Sequence, residues 1–553
     1  MDVDFVGTGC GVSLSKIIRK RKAVLRNDKK RDDTGQSGTI ITILENKEPQ
    51  VKIVNFMIER INNRITLTSQ TRVILMVYGG YKYLELDYEP DLENDIIAWH
   101  WVSGEMPIEK LSEALAAESS VGTWTELKTV NMEVFEKLRA KVFRIEKVSE
   151  NSGFVWLAYP LDHFDVKNIL QILASIRGNI YGLAELEALK FLDVRFPRKL
   201  QKLFKGPRFG LEGVRNRVGT NVSRRPHIGT IVKPKVGLAP KEWAEVAYNA
   251  FIGGVDFVKD DENLVDQEFC RWEDRVNAVL EVIDKVKDET GRTVIYSPNI
   301  TDRYSRMLER MDSLEEMGWD IAMLDVYMIG YSALLDIVEE LHNGGFIIHA
   351  HRAGHTAETR GVFGCEYNVF AKIWRLIGVD QLHTGTGVGK MEGSPLIIRG
   401  YGKICTKKNI DEALHLYNLG FNWDDTINPL MPVASGGLDA GKVDALIEIY
   451  GKDLVIQAGG GIHGHPEGSV SGAKSMRCAV EGVMQGKSSP EKAKECKELK
   501  AALDKWGYSD PQEIRKISEM VEENKDKYLK KLFTVGYEAF DISEKLQDET
   551  KTD

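Results

Sequence analysis

Short apolar runs rich in β-branched residues recur along the chain from about residue 226, and a segment with helical spacing follows each one. These runs end in polar, charged or glycine-rich turns, and they lie at 229–235, 255–259, 293–299, 321–325, 346–352, 381–384, 431–435 and 454–458. Eight strand–helix units over about 250 residues predict a closed (β/α)8 TIM barrel rather than an open doubly wound sheet. Such barrels carry their functional residues at the carboxyl ends of the strands.

The residues before the barrel mix both kinds of pattern and predict an α+β N-terminal domain over 76–225. The elements that we expect in it are two strands and three helices, at 81–88 and 155–159 and at 107–117, 166–176 and 184–192. The barrel is then the catalytic domain at 226–507. Residues 508–553 form a charged C-terminal tail whose spaced apolar positions indicate an amphipathic helix.

Composition fits an ordinary soluble protein, with 42% hydrophobic and 28% charged residues among 553. No apolar run approaches the ~18 residues of a membrane-spanning helix, and we expect no membrane partner. The chain starts without a basic leader followed by an apolar stretch, so a secretory signal is not expected. Six scattered cysteines, without a CxxC pair, fit a reducing environment, and we expect a cytoplasmic protein.

Residues 1–75 differ from the rest in charge. They hold 14 Lys and Arg against 8 Asp and Glu, a net +6, which leaves −15 for the remainder of a chain whose total is −9. Such a basic segment can bind nucleic acid or anionic surfaces. We favour a flexible leader or an overlong start, with Met76 opening the native chain, but strand-like runs at 40–44 and 51–56 leave partial order open.

Charged residues end the first two predicted barrel strands. Lys233 and Lys235 lie two apart and therefore share a strand face, and a buried lysine exchanges protons near neutral pH. Lys259 precedes three carboxylates, among them Asp261 and Glu262, which are either a salt-bridged loop or a site for a hard cation such as Mg²⁺. The lysine fits a metal site if carbon dioxide adds to its neutral amine and forms a carbamate.

Histidines and cations follow the fifth and sixth strands. His349 and His351 end the fifth strand and His383 ends the sixth. A single strand histidine is more often a core residue than a catalyst, and zinc binding by His349 and His351 lacks a third ligand nearby. Arg352 at the barrel mouth indicates an anionic substrate group. Lys390 lies in a glycine-rich loop that can close over a ligand.

Glycine-rich turns end the last two strands, at 435–437 and 459–461. Either turn alone is often only a tight bend, but the two together are typical of phosphate binding by the last barrel loops. With the metal site and the proton-transferring lysines and histidines, they predict a bisphosphorylated substrate. The chemistry that these groups favour is enolisation next to a carbonyl, with the metal stabilising an enediolate.

Several long motifs in the same order give the sequence a specific resemblance to a known family, from about 80 to 505. The motifs lie at 113–124, 229–238, 253–263, 349–355 and 388–393. They resemble the ribulose-bisphosphate carboxylase large subunit, and the blocks 231–236 and 458–466 look most like the archaeal form III enzymes. The resemblance implies a carboxylase/oxygenase that adds carbon dioxide to the enediolate of ribulose 1,5-bisphosphate and yields 3-phosphoglycerate.

The resemblance also implies a role for each matching residue. The implied catalytic residues are Lys233, His351, Lys390 and Glu118. The implied Mg²⁺ ligands are Lys259, as a carbamate made from activator carbon dioxide, Asp261 and Glu262. The implied substrate-binding residues are Thr123, Trp124, Asn179, Lys235, Arg352, His383, Ser435, Gly436, Gly437, Gly459 and Gly460. Gly387 departs from the family, whose mobile loop usually has an apolar residue there.

The family further implies a homodimer, or an assembly of dimers, in which N-terminal residues of one subunit complete the site of its neighbour. We expect no small subunit and no nucleic-acid partner, and form III resemblance implies a nucleotide or ribose-phosphate salvage route. Two alternatives remain open. One is a related enolase or isomerase acting on a similar sugar phosphate without carboxylation. The other is a non-catalytic scaffold that binds nucleic acid through the basic leader.

Overall fold

The computed structural model describes residues 81–122, 125, 127–391, 393–410 and 419–524, together with the backbone of four earlier strands. These four strands form an antiparallel sheet in chain order: β1 (Ala23–Arg31), β2 (Ser37–Lys47), β3 (Gln50–Ile61) and β4 (Arg64–Arg72). The strand-like runs at 40–44 and 51–56 lie in β2 and β3. That the remainder of the protein folds without residues 1–75 stays a prediction.

The N-terminal domain contains a second antiparallel sheet with the strand order β8-β5-β7-β6. Its strands are β5 (Asp95–Gly104), β6 (Lys141–Ser149), β7 (Ser152–Pro160) and β8 (Leu186–Arg195). Its helices are Ile108–Glu118, Met132–Leu138 and Ile169–Arg177, with short 3-10 turns at Leu161–His163 and Asn179–Gly182. The strand predicted at 155–159 and the helices predicted at 107–117 and 166–176 are thereby confirmed.

Two of the predicted N-terminal elements are wrong. Residues 184–192, predicted as a helix, fall almost entirely in β8. Most side chains of this inner strand are buried on both faces, so its apolar residues lack the alternation that marks a half-buried strand. Residues 81–88 contribute only a single bridge, between Leu84 and Val142, because the chain turns immediately afterwards, where Tyr88 N donates to Glu85 O at 2.9 Å.

The remaining strands build the barrel and two small additions. In chain order they are β9 (His227–Ile231), β10 (Phe257–Lys259), β11 (Ile295–Ser297), β12 (Ile321–Asp325), β13 (Ile347–His351), β14 (Phe363–Cys365), β15 (Gln381–His383), β16 (Asn409–Ile410), β17 (Phe421–Asn422), β18 (Met431–Ser435) and β19 (Val455–Gln457). Eight of them are parallel neighbours in the order β11-β10-β9-β19-β18-β15-β13-β12. A bridge between Asn299 and Met323 joins the two ends of this order and closes the barrel.

A helix follows every barrel strand, so all eight predicted units are confirmed. The barrel helices are Pro240–Gly253, Trp272–Thr290, Tyr304–Glu316, Gly330–Asn343, Tyr367–Ile377, Pro395–Thr406, Val443–Tyr450 and Gly468–Met484. Shorter helices and turns lie at Arg198–Gln201, Gly210–Val218, Thr356–Thr359, Ala440–Lys442, Gly460–His463 and Ser489–Lys492. Apolar side chains on the inner faces of the helices and on the strands form one continuous core.

The barrel domain supplies a strand to the N-terminal sheet. β14 pairs in parallel with β8, with Phe363 opposite Leu189. The two domains are also joined by a buried ion pair between Lys372 and Asp193, at 2.7 Å. The loop that follows β13 is therefore packed against both domains.

Two helices complete the described part of the chain, Lys497–Trp506 and Pro511–Glu523. The second confirms a helix in the tail, although residues 525–553 lie outside the described residues. Cys478 and Cys496 form a disulfide, which the scattered cysteines had not led us to expect. Helix packing brings together two cysteines that are 18 residues apart. In the described part of the chain, no helix has the length and apolarity needed to cross a membrane.

Candidate active site

The carboxyl ends of the barrel strands bring most of the predicted site residues into contact. Lys233 Nζ donates to Asp261 Oδ2 at 2.8 Å, which joins the first two strand ends. Glu262 Oε2 lies 3.6 Å from His351 Nε2 and 4.0 Å from Lys259 Nζ. One cluster of cations, carboxylates and imidazoles therefore spans the barrel mouth from β9 to β13.

Lys259 is the last residue of β10 and its side chain is fully buried. Its Nζ donates to the Asp260 carbonyl at 2.8 Å and contacts Met323 Sδ at 3.4 Å. Burial lowers the pKa of this amine, although the neighbouring carboxylates oppose the shift. Burial in this position favours the neutral amine, which is the form that reacts with carbon dioxide.

Asp261 is held as a carboxylate by its neighbours. Burial alone would raise its pKa, but hydrogen bonds from Lys233 and Asn263 lower it to about 2. Asn263 Nδ2 donates to Asp261 Oδ1 at 2.8 Å, so both carboxylate oxygens have donors. The group is thus ionised at neutral pH, as a metal ligand must be.

A carboxylate orients the His351 ring. Asp325, the last residue of β12, lies with Oδ1 2.6 Å from His351 Nδ1. This contact turns the opposite ring nitrogen, Nε2, toward Glu262. Sequence analysis did not single out Asp325, although its place at a strand end was a usable signal.

His349 and His383 form a hydrogen-bonded pair beneath the mouth. Their Nε2 atoms lie 2.9 Å apart, and His349 Nδ1 lies 2.8 Å from Gln381 Oε1. Burial lowers the pKa of both rings well below the usual value, so both are neutral. The His383 ring also lies edge-on to His351, with 4.6 Å between the centroids.

Arg352 lies over an aromatic ring next to the same cluster. Its guanidinium carbon is 4.1 Å from the centroid of Tyr367, whose hydroxyl donates to the His383 carbonyl. His355 Nδ1 lies 2.8 Å from the Arg352 carbonyl, and burial lowers the pKa of His355 to about 2. Tyr367 and His355 therefore position a cation without neutralising it.

The glycine-rich ends of β18 and β19 leave little room for side chains. Gly437 has φ +71°, and a Cβ there would lie 2.7 Å from Lys390 N. Lys390 N also donates to Gly436 O at 3.3 Å, which ties the loop lysine to this turn. A Cβ on Gly459 would lie 3.0 Å from Lys233 Cε. These glycines allow close approach of the backbone to the lysines that line the mouth.

Other predicted residues lie outside this cluster. Lys235 is exposed on the loop after β9, Glu118 ends the helix Ile108–Glu118, and Asn179 is exposed in the N-terminal domain. Among the described residues, no hydrogen bond or ion pair joins these three to the strand-end cluster. Thr123 and Trp124 lie outside the described residues.

Without modification, the side chains at the end of β10 supply only part of a Mg²⁺ site. No group of three His, Cys, Asp or Glu side chains suited to a metal occurs in the part of the chain that the structure describes. Asp261 and Glu262 supply two oxygen donors next to the buried Lys259. A carbamate on Lys259 would add the third, so the residues fit the ion once that lysine is modified.

The fold and this strand-end cluster define a (β/α)8-barrel enzyme with an α+β N-terminal domain. Family models described as ribulose bisphosphate carboxylase large chain, catalytic domain and N-terminal domain, match residues 212–506 and 82–200. Ribulose bisphosphate carboxylase of Methanocaldococcus jannaschii is 47% identical over 431 residues, 77% of this chain and 99% of that protein. The chain belongs to the ribulose bisphosphate carboxylase large-chain family, and its relatives are of the archaeal type.

Solved structures agree with this assignment. The dimeric archaeal Rubisco from Hyperthermus butylicus matches with a TM-score of 0.72 and 38% identity, covering 77% of this chain and 99% of that one. The octameric Rubisco from Pyrococcus horikoshii matches with a TM-score of 0.70 and 39% identity, covering 77% and 97%.

Proposed function

We propose that the protein is a ribulose-1,5-bisphosphate carboxylase/oxygenase, which adds carbon dioxide to the enediolate of its substrate and releases two molecules of 3-phosphoglycerate. The observation that carries this proposal is the buried Lys259 at the end of β10, next to Asp261 and Glu262. A fully buried lysine beside two carboxylates is suited to become a carbamate ligand, and because it is buried it does not serve as a surface charge. The similarity to named carboxylases over 77% of the chain supports the same reaction.

The residues that would hold Mg²⁺ are carbamylated Lys259, Asp261 and Glu262. When bound, the ion would stabilise the negative charge of the enediolate as a Lewis acid. Carbamylation requires the neutral amine, and the pKa of Lys259, which burial lowers, supports its formation. Carbon dioxide then forms a bond to nitrogen and one proton leaves.

Proton transfers fall to the cations and imidazoles around this centre. We assign to Lys233 the protons of enolisation and the later protonation of the product carbanion. Its 2.8 Å hydrogen bond to Asp261 supports a place beside the metal. His351, oriented by Asp325, is assigned to proton transfer during hydration, and Lys235 to support of Lys233.

We divide the two phosphates between opposite sides of the mouth. Arg352 and His383 would bind one phosphate, with Ser435 on the sugar hydroxyls, and the place of the Arg352 guanidinium over Tyr367, next to His383, supports this. The second phosphate would bind to backbone N–H groups at the ends of β18 and β19 and to Lys390. The groups assigned to it are Gly436, Gly437, Gly459, Gly460, Lys390, Thr123 and Trp124.

We further propose a homodimer, or an assembly of dimers without small subunits, in which Glu118 and Asn179 of one subunit complete the neighbour's site. Their placement in the N-terminal domain, apart from the strand-end cluster of their own subunit, supports shared sites. The Hyperthermus butylicus protein is dimeric and the Pyrococcus horikoshii protein octameric, which fits repeated dimers. We place the reaction in a cytoplasmic nucleotide or ribose-phosphate salvage route, as form III resemblance implies.

The test is an assay with labelled bicarbonate, ribulose 1,5-bisphosphate and Mg²⁺ after preincubation with carbon dioxide. We expect label in 3-phosphoglycerate, and no label when Mg²⁺ is chelated. Exchange of the C3 proton of the substrate with solvent, without incorporation of label, would instead identify an enolase or isomerase. Salt-sensitive nucleic-acid binding in a protein without either activity would identify the scaffold alternative.

A further inference from the structure

An ion pair joins the N-terminal domain to the barrel close to one predicted substrate contact. Arg177, the last residue of the helix Ile169–Arg177, pairs with the carboxylate of Glu358, 181 residues further along the chain. Only 14% of the Arg177 side chain is exposed, and its guanidinium also lies over the ring of Phe370 at 5.2 Å. The Glu358 side chain is 32% exposed, and because partly exposed ion pairs contribute little to stability, we attribute to this pair a positional role.

Glu358 is also connected to the residues that orient His351. Its second carboxylate oxygen accepts a hydrogen bond from the Tyr327 hydroxyl at 2.7 Å. Tyr327 comes two residues after Asp325, whose carboxylate lies 2.6 Å from His351 Nδ1. On its own side, Glu358 N donates to the His355 carbonyl at 3.0 Å. The Glu358 carboxylate thus joins the loop after β12, the loop after β13 and the N-terminal domain.

The segment that contains Glu358 has further N-terminal contacts. Lys190 Nζ donates to the carbonyl oxygens of Thr359 and Gly361 at 2.7 and 2.8 Å. The Tyr181 hydroxyl donates to the carbonyl of Gly364 at 2.9 Å. The N-terminal domain therefore contacts the loop after β13 at several successive residues.

Asn179 lies between two of these anchors. Arg177 and Tyr181 both bind the segment 358–364, and Ile180 between them is buried, while Asn179 itself is exposed. Gly178 completes the turn, because a Cβ there would lie 2.1 Å from the carbonyl oxygen of Ala174. The backbone that presents Asn179 is thus fixed on both sides while the side chain remains free to meet a ligand.

We propose that Arg177 and Glu358 are positioning residues, whose ion pair fixes Asn179 relative to the loops that carry His351 and Arg352. This inference rests on the proposed function, in which Asn179 contacts the substrate near the metal. In a dimer with shared sites, Asn179 serves the neighbour's site while His351 serves its own. One ion pair in each subunit then sets the geometry of both sites.

The test compares Arg177→Met, Arg177→Lys and Glu358→Gln in two backgrounds, the natural chain and Asn179→Ala. We expect Arg177→Met and Glu358→Gln to lower kcat by roughly 10- to 100-fold in the natural chain, because small displacements of a contact residue cost that much. The conservative Arg177→Lys should recover most of the loss. In the Asn179→Ala background Arg177→Met should cost less than about twofold further, since its effect passes through Asn179.

Arg198→Met is the matched control, because Arg198 binds Asp424 across the same two domains at 3.4 Å without touching the Asn179 segment. It should leave kcat and KM unchanged in both backgrounds. An equal loss from Arg177→Met with and without Asn179 would overturn the proposal. If Arg177→Met fails to fold, Glu358→Asp replaces it in the test, because this variant keeps the charge but shortens the side chain. Its effect on kcat should then also be smaller in the Asn179→Ala background than in the natural chain. A natural chain without carboxylation would contradict the proposed function instead, and is measured first.

Discussion

The two ends of the barrel both bury carboxylates, but they surround them differently. At the amino end, Asp256 accepts hydrogen bonds from Arg225, Arg477 and Ile228 N, at 2.7 to 3.0 Å. Burial alone would raise the pKa of Asp256, but the Arg477 and Arg225 guanidinium groups hold it far below its usual value. At the carboxyl end, Glu262 Oε2 has longer contacts, 3.6 Å to His351 Nε2 and 4.0 Å to Lys259 Nζ.

These different surroundings give the two ends of the barrel different roles, stability at the amino end and chemistry at the carboxyl end. Asp256 is almost fully buried among the guanidinium groups of Arg225, Arg292 and Arg477, which neutralise it and shield it from ligands, so it serves the fold. Glu262 is one third exposed and keeps oxygen lone pairs for a metal ion or substrate. This matches the general rule that barrels react at the carboxyl end and are stabilised at the amino end.

The largest effect that would sharpen this comparison is expected from Lys259→Arg. A guanidinium keeps the charge but cannot become a carbamate, so we expect carboxylation to fall by at least ~10³-fold, with a modest fall in melting temperature because the larger side chain enters a fully buried position. The measurement is the labelled-bicarbonate assay beside a melting curve. Lys205→Arg, an exposed lysine paired with Glu339, is the matched control. Undiminished carboxylation by Lys259→Arg would contradict the assignment of the metal site.

The next effect is expected at the glycine-rich side of the same end. In Gly437→Ala the new methyl group meets Lys390 N and the backbone keeps a strained positive φ. We expect KM for ribulose 1,5-bisphosphate to rise about tenfold, equivalent to ~1.4 kcal/mol of binding. Gly291→Ala, at φ +68° with open space around it, should weaken stability without moving KM. Equal KM changes in both variants would remove the phosphate role of Gly437.

A third experiment asks whether the carboxyl end is complete within one subunit. Mixing a Lys259→Ala chain with a Glu118→Gln chain produces hybrids in which one site carries neither lesion. With shared sites and random mixing we expect about a quarter of the natural activity to return. Native mass spectrometry would verify that hybrids form. Hybrids without any recovered activity would show that each subunit builds its own site.

A smaller effect is expected from Asp380 near the amino end, which accepts hydrogen bonds from the backbone of Gly210, Phe209 and Ile348. Burial raises the pKa of Asp380 to about 6, so the folded state retains its proton more strongly than the unfolded state does. The associated stability is present below pH 4 and is lost as pH rises through 6. Relative to Asp380→Asn, the natural chain should lose about 3 kcal/mol of unfolding free energy over this interval.

Urea unfolding at several pH values measures this difference, and kcat of Asp380→Asn at neutral pH should remain close to natural. A pH-independent difference between the two proteins would show that Asp380 has the same pKa when folded and unfolded. A large loss of kcat would break the comparison, because it would assign chemistry to the amino end.

The smallest effect is expected from removing residues 1–75. A chain that begins at Met76 lacks the sheet β1–β4 but keeps the barrel and the sheet that contains β5 to β8. We therefore expect kcat and KM within about twofold of the natural values. Steady-state kinetics and size-exclusion chromatography provide the measurements. An insoluble or inactive product would show that the strands β1–β4 support the rest of the fold.

The barrel and most strand-end residues could be predicted because both depend on local patterns. Apolar runs with turns behind them identify each strand, and closure then places Lys233, Lys259 and His351 at one mouth. The helix predicted at 184–192 was wrong for a physical reason. A strand buried on both faces shows no alternation that distinguishes it from a buried helix. The pattern was present there, but its meaning depended on neighbours elsewhere in the sheet.

Contacts between distant parts of the chain explain what sequence reasoning missed. The partner of His351 is Asp325, 26 residues earlier, and the partner of Arg177 is 181 residues later. The spacing of apolar residues around these positions does not predict either pair, because the pairs form only when helices and strands have packed. The disulfide between Cys478 and Cys496 belongs to the same class.

The strand that β14 lends to the N-terminal sheet has a consequence for synthesis on the ribosome. β8 ends at Arg195, but its edge partner is not made until Cys365, after five barrel strands. At typical elongation rates this delay lasts roughly ten to thirty seconds. During that time the N-terminal sheet presents an unpaired edge, the kind of surface at which nascent chains associate wrongly. Conditions that slow translation between these strands should therefore lower the yield of soluble protein more than the same delay placed after residue 365.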